Sequence, residues 1–208
     1  CLKELIYADL PEFSLLRQHV EMARPKEMHE DELMWLFYTS GTTGRPKGVM
    51  ISSGNISSMA MAYFSDVDEV HCKDAILYAA PMSHGAGIYN FMHVIRGARH
   101  VVPDSHGFDA DEILELAPKI DNISMFAAPT MVKKLVERAR AVGSNGKGIK
   151  TITYAGGPMY VADIITAVAV LGNKFVQVYG QGECPMGITS LRRHFVSERK
   201  HPNWRARL

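Results

Sequence analysis

The sequence has little cysteine and no arrangement that would put it to structural use. Three occur, Cys1, Cys72 and Cys184, with an odd count and no Cys-x-x-Cys spacing. This excludes a disulfide framework and a cysteine-based zinc site, and it fits a reducing, cytoplasmic setting. An excess of one charge is also missing. The 23 Lys and Arg face 22 Asp and Glu, a net +1 with neutral His, so bulk electrostatics gives no reason to expect a nucleic acid or an anionic membrane. There is no signal-peptide pattern, no linker rich in Pro, Gly or Ser, no internal repeat and no low-complexity segment. An unbroken apolar span is absent too. Ala75 to Ile95 lacks Asp, Glu, Lys and Arg, but Pro81, Ser83, His84, Gly85, Gly87, Asn90 and His93 interrupt it, so a buried strand and a polar loop are expected there. The chain opens Cys-Leu-Lys-Glu without Met, which leads to the expectation that it is a piece of something longer.

What is present suits one globular unit. The 208 residues are 47% hydrophobic and 22% charged, enough for a sizeable core and too few for two ordinary domains. Short apolar runs alternate with longer amphipathic ones, the pattern of an α/β protein with a mostly parallel sheet flanked by helices. Strands are expected at Met34 to Tyr38, Val49 to Ile51, Ile76 to Ala79, Met125 to Ala127, Lys150 to Tyr154 and Phe175 to Tyr179. Helices are expected at Glu12 to Ala23, Asn55 to Phe64, Ala110 to Ile120, Met131 to Val142 and Val161 to Leu171. The fourth helix has the clearest stripe, with Met131, Val132, Leu135, Val136, Ala139 and Val142 on one face. The third opens on Asp109 with Glu112 three residues on, resembling a capping box. Arg192 to Leu208 carries six Lys and Arg against Glu198, and charge runs of this kind are usually solvated surface.

The chemistry is concentrated in Tyr38-Thr-Ser-Gly-Thr-Thr-Gly-Arg-Pro-Lys-Gly-Val-Met50, directly after an apolar strand. Gly41 and Gly44 let the backbone turn its N–H groups inward, Thr39, Ser40, Thr42 and Thr43 add hydroxyls, and Lys47 adds a mobile positive charge. That set suits a polyphosphate. A Walker loop fails at two of its four fixed positions when counted from Gly41, since Pro46 stands for the second Gly and Gly48 for Ser or Thr. The run Gly48-Val-Met-Ile-Ser also reads as a strand, whereas a Walker lysine opens a helix whose N–H groups hold phosphate. The loop therefore connects two strands.

The whole string resembles the signature loop of the adenylate-forming superfamily, which includes acyl- and aryl-CoA synthetases, and further matches follow in that family's order. Ala80-Pro-Met-Ser-His-Gly-Ala-Gly87 resembles the segment leading to the acyl pocket, and Phe126-Ala-Ala-Pro-Thr-Met131 the strand-to-helix turn after it. Tyr154-Ala-Gly-Gly-Pro-Met159 resembles the adenine-side loop, and Tyr179-Gly-Gln-Gly-Glu183 the segment that stacks on adenine and holds magnesium.

The resemblance implies part of the large N-terminal domain of an acyl-CoA synthetase-like fold. It implies ATP and Mg²⁺ as cofactors, CoA as co-substrate, and a carboxylic acid activated as its adenylate and passed to the thiol. By the same resemblance Thr39 to Lys47 grip the β- and γ-phosphates, His84 borders the acid, Gly156, Gly157 and Pro158 line the adenine, and Tyr179, Gly180 and Gln181 cover it. Glu183 is the implied Mg²⁺ ligand, and Lys47, Glu183 and His84 the implied catalytic set. Other readings stand beside these: His84 as a hydrogen-bonded loop histidine, Tyr179 as a core aromatic, Glu183 as a surface carboxylate and Cys184 as a pocket wall.

One position departs from the family pattern, because Gly182 stands where most members have a threonine whose hydroxyl helps hold phosphate. An unpaired buried phosphate oxygen would cost about 1–3 kcal/mol, with Ser40 or water as substitutes. The family's ribose motif and lysine-bearing terminal domain have no counterpart in these residues, so an incomplete, catalytically weak fragment is expected, with a nucleotide-binding or interaction module as the alternative.

Overall fold

The computed structural model describes residues 11–16, 18, 24, 26–39 and 44–208. After a short helix α1 (Pro11–Leu16), strands β1 (Leu33–Thr39) and β2 (Lys47–Ser52) form an antiparallel hairpin around the glycine-rich loop. Trp35 and Phe37 alternate with Met34, Leu36 and Tyr38, which places the first two toward the protein and the other three toward solvent. Then follow α2 (Ser53–Asp66), β3 (Ala75–Leu77), a 3-10 turn (Gly85–Tyr89) running into α3 (Asn90–Ile95), and β4 (Arg99–Val101). The remainder is α4 (Ala110–Ile120), β5 (Ile123–Ala127), α5 (Pro129–Ala141), β6 (Ile149–Tyr154), α6 (Val161–Leu171), β7 (Phe175–Gln181), β8 (Cys184–Leu191) and α7 (Arg193–Ser197).

The six-stranded sheet has the order β4-β3-β5-β6-β7-β8, parallel except for β8. Both of its faces are covered, which is why its inner strands are apolar on consecutive residues. One core joins Leu77, Met125 and Ile152 to Ile113, Leu135 and Ile164 of α4, α5 and α6. The other joins Ile76 and Tyr78 to Ile56 and Tyr63 of α2, Met92 of α3, and Phe37 and Ile51 of the hairpin. The sequence-expected α/β fold is thus present as two helical layers around one sheet, with the hairpin completing one of them.

Local chemistry sets the helix starts. Ser52 caps α2, its hydroxyl accepting from Asn55 N at 3.2 Å while Asn55 Oδ1 accepts from Ser52 N at 3.0 Å, so the helix begins two residues before the expected Asn55. Asp109 caps α4 at 2.9 Å, but the reciprocal half of the expected box is not made. Glu112 instead accepts from Asp104 N at 2.7 Å and Ser105 N at 3.2 Å, tying down the loop before the helix.

The basic segment after β8 also differs from a purely solvated run. Arg192 pairs with Asp66 at 2.6 Å. Arg193 donates to Asp68 at 2.8 Å and to Thr151 at 2.6 Å, and the Thr151 hydroxyl donates to Asp68. Beside it Lys150 pairs with the nearly buried Asp74 at 2.6 Å. This network lies at the amino-terminal edge of the sheet and ties α2 to β6 and α7. Of the expected first helix, residues 17 and 19–23 lie outside the described residues.

Candidate functional site

The strand order places a crevice before any side chain is considered. From β3 the chain moves to β4 on one side, then returns past β3 to β5 on the other. The segment after β3 leads into α3 on one face of the sheet, and the segment after β5 leads into α5 on the opposite face. Diverging connections leave a gap at the carboxyl ends of adjacent parallel strands, where open α/β sheets bind ligands.

A cleft of about 600 Å³ occupies that gap. Ala80, His84 and Ala86 come from the segment after β3, Phe126, Ala128 and Met131 from the β5–α5 turn, and Ala155 and Gly156 from the segment after β6. Val178, Gly180, Gln181 and Gly182 come from the end of β7, and Phe37, Tyr38 and Thr39 from the hairpin. Burial is graded. His84, Gly156 and Gln181 at the rim are exposed, whereas Ile88, Tyr89 and Val178 are at most 3% exposed.

Five of the sequence-identified positions therefore meet in one cleft: Thr39, His84, Gly156, Gly180 and Gln181. The His84 ring stacks on Phe37, with centroids 5.1 Å apart and planes at 20°, and its backbone N–H donates to the Pro81 carbonyl at 3.2 Å. Tyr179 is 57% exposed, which sets aside the reading of it as a core aromatic. Gly44, Lys47, Gly157, Pro158 and Tyr179 stand outside the lining, and Ser40, Gly41, Thr42 and Thr43 lie outside the described residues. Glu183 is exposed in the turn between β7 and β8 and borders a separate hollow of about 250 Å³ together with Ile51, Asn55 and Cys184. Cys184 is thus a wall residue, as expected.

Gly182 has a packing reason to be glycine. A Cβ built there would lie 2.4 Å from Thr39 Cγ2, too close for either atom. The Thr39 methyl fills the space that a side chain at 182 would need, docking the end of β1 against the β7–β8 turn. Gly182→Ala is expected to destabilise by about 1–2 kcal/mol through overpacking. Thr39→Ser, which removes Cγ2 and keeps the hydroxyl, should relieve most of that in the double variant. Denaturant unfolding of the four proteins checks this, and strictly additive changes would show that the two residues do not press on each other.

Several cleft residues were not identified from sequence. Phe37, Tyr89, Val178 and Met186 come from distant elements and look like ordinary core residues. Met186 sits in an irregular stretch of the β7–β8 ladder with φ +71°, rare outside glycine, and turns a buried side chain to the cleft floor. No local pattern announces it. Among the described residues no three His, Cys, Asp or Glu side chains gather as a metal centre, and no helix is long and apolar enough to cross a membrane.

Known proteins resemble this chain in sequence and in fold. Feruloyl-CoA synthase of an Amycolatopsis species is 29% identical over 171 residues, covering 81% of this chain and 34% of that protein. A medium/long-chain-fatty-acid–CoA ligase, FadD8 of Mycobacterium tuberculosis, is 26% identical over 84% of this chain and 30% of its own. The N-terminal domain of FACL13 from Mycobacterium tuberculosis superposes with a TM-score of 0.74 at 26% identity, over 86% of this chain and 44% of that one. O-succinylbenzoate coenzyme A synthetase of Bacillus subtilis, solved with AMP, superposes at 0.72 and 26% identity, over 89% and 38%. The chain spans about a third of the length of the curated relatives it matches. The family model described as AMP-binding enzyme matches residues 3–205, so every element that builds the cleft falls within it and the chain belongs to that family.

Proposed function

We propose that this chain supplies the nucleotide- and acid-binding cleft of an AMP-forming acid–thiol ligase, which activates a carboxylic acid with ATP and transfers the acyl group to CoA. The observation that carries the reading is the cleft at the strand switch, where a hairpin bearing the glycine- and hydroxyl-rich loop closes over the ends of β5, β6 and β7. Hydroxyls and backbone N–H groups of the loop suit the phosphates, Gly156 of the lining and the exposed Tyr179 just outside it suit a planar base at the rim, and the apolar floor suits the body of an acid. Relatives named as feruloyl and fatty-acid ligases support the reaction class and leave the acid open.

The donor chemistry fits magnesium. Glu183, exposed next to Gly182 of the cleft lining, offers a hard oxygen, and Mg²⁺ characteristically takes one or two carboxylates with phosphate oxygens and waters completing its shell. When bound, the ion neutralises phosphate charge. The protein's own contribution is positioning: Thr39 and Lys47 at the phosphate side, His84 at the rim beside the acid, and Phe37 and Phe126 as walls. Cys72 and Cys184, free and exposed, suit a cytoplasmic location.

Product analysis tests the reading. With ATP and a panel of carboxylic acids, the full-length protein should release AMP and pyrophosphate and catalyse acid-dependent pyrophosphate exchange into ATP. Release of ADP would place it among phosphotransferases instead.

A further inference from the structure

The segment between β3 and α3 holds the backbone of His84 from both sides. Its N–H donates to the Pro81 carbonyl, and its own carbonyl accepts from the Gly87 N–H at 2.9 Å. The turn is closed so tightly that a Cβ at Gly87 would collide with the Met82 carbonyl oxygen. A backbone pinned in this way leaves the imidazole one kind of freedom, rotation about its own side-chain bonds, and an exposed side chain ordinarily samples several staggered wells. The well it occupies decides whether the ring stands at the rim of the cleft or out in solvent.

That choice is set by a different element. The His84 ring lies nearly parallel to Phe37 of β1, in the offset stack that aromatic faces prefer. Phe37 is 6% exposed and is itself braced. Trp35 meets it edge to face with centroids 5.7 Å apart, and Phe91 of α3 packs on Trp35 at 5.9 Å. The β7–β8 turn also reaches it, since a Cβ at Gly182 would lie 3.6 Å from Phe37 Cδ1, at van der Waals contact. Aromatic contacts thus run from His84 at the rim through two rings of β1 to α3. Phe37 stands two residues before Thr39, on the strand that leads into the glycine-rich loop. One strand therefore carries the loop and the surface on which the histidine rests.

We propose that Phe37 is a positioning residue for acid activation: beyond its place in the cleft wall, its ring is the bed that keeps the His84 imidazole at the rim, and it acts on the reaction through that histidine. The inference rests on the acid-activating reading and adds to it a residue whose burial in the second core would otherwise class it as packing alone. A ring already held at the rim spares the reaction the entropy of collecting it there.

The experiment is pyrophosphate exchange by the full-length protein with an acid it accepts, for wild type, Phe37→Leu, His84→Ala and the double variant, each checked for folding by thermal unfolding. Phe37→Leu removes the ring and keeps the site apolar. It should lower kcat/KM for the acid about three- to tenfold, the scale of one aromatic pair, with KM for ATP within about twofold. Phe37→Tyr keeps the ring and should be several-fold better than Phe37→Leu. In the His84→Ala background the change to Leu should alter kcat/KM by less than about twofold, because the group it positions is gone. An equal loss in both backgrounds would show that Phe37 acts by itself and overturn the inference, as would wild-type kinetics in Phe37→Leu. Should that variant fail to fold, histidine proton NMR of the wild-type protein decides. The carbon-bound ring protons of His84, identified by their absence in His84→Ala, should lie upfield of exposed histidines because of the Phe37 ring, and unshifted signals would overturn the inference. Absence of exchange with any acid would remove the acid-activating reading and this inference with it.

Discussion

Gly148→Ala is expected to destabilise the protein by about 3–5 kcal/mol, the sum of backbone strain and overpacking at one position. Gly148 has φ +85°, a conformation that a Cβ disfavours. The larger obstacle is the neighbour. A Cβ there would lie 1.9 Å from the Ala117 carbonyl oxygen and 2.3 Å from its carbon, both backbone atoms of α4. That backbone has no freedom to retreat, because Ala117 is fully buried and its carbonyl accepts the Asp121 N–H that ends the helix at 2.9 Å. Gly148 is pinned too, its own carbonyl accepting from Ile123 N at 2.8 Å where β5 and β6 begin. Relief would have to separate α4 from the start of two central strands. Thermal unfolding should move down by roughly 10 °C, given about 2–4 °C per kcal/mol for a chain of this size. Gly143→Ala is the control. Its φ of +68° imposes similar backbone strain, but nothing lies within 4 Å of the added carbon, so a distinctly smaller loss is expected. Equal melting temperatures for the two variants would show that the close approach at Gly148 has no energetic weight.

That glycine belongs to Gly143-Ser-Asn-Gly-Lys-Gly148, a run whose turn character is plain from composition, although nothing in it distinguishes a glycine facing open space from one pressed on a carbonyl. The same division runs through the fold. The stripe of α5 was readable because a periodicity of three and four is local, and Val132, Leu135, Val136 and Ala139 are indeed buried while Val142 past the helix end is not. β4 was not readable. Arg99–Val101 is a three-residue edge strand of exposed and half-exposed side chains, defined only by its pairing with β3. β8 was hidden as well, since Pro185 and Gly187 break its pattern and its ladder is irregular. Arg192 and Arg193 read as part of a solvated basic run because Asp66 and Asp68, which hold them, lie more than a hundred positions earlier in the chain.

For the cleft, the loops were legible and the floor was not. Thr39, His84, Gly156, Gly180 and Gln181 sit in short strings whose glycines, hydroxyls and prolines have few uses other than shaping a ligand-binding turn. Tyr89 and Met186 carry no such mark. Their places in the cleft wall exist only once distant segments are packed together. The glycine at 182, read from sequence as a lost donor, has a different meaning in three dimensions, because Thr39 from another strand occupies its place.

Lys47→Ala is expected to lower the rate of adenylate formation by about 10²–10³-fold, the scale seen when one positioned group that stabilises developing charge is removed. The lysine opens β2 directly opposite Thr39, the last residue of β1, so the hairpin register brings it to the base of the glycine-rich loop. It is exposed, and among the described residues no carboxylate pairs with it, which leaves its four-carbon stem free to follow a phosphate. A lysine tied into a surface ion pair would have to break that pair first. The same exposure means that the fold does not depend on the side chain, and exposed substitutions of this kind change stability by within about 0.5 kcal/mol. The result should therefore be a large fall in pyrophosphate exchange with an unchanged melting temperature. Lys47→Arg, which keeps the charge on a bulkier planar head, should recover part of the rate, because the requirement is for positive charge near the loop and less for one fixed geometry. An alanine variant that exchanges pyrophosphate at the wild-type rate would remove Lys47 from the reaction and leave the phosphate grip to the hydroxyls and backbone N–H groups of the loop.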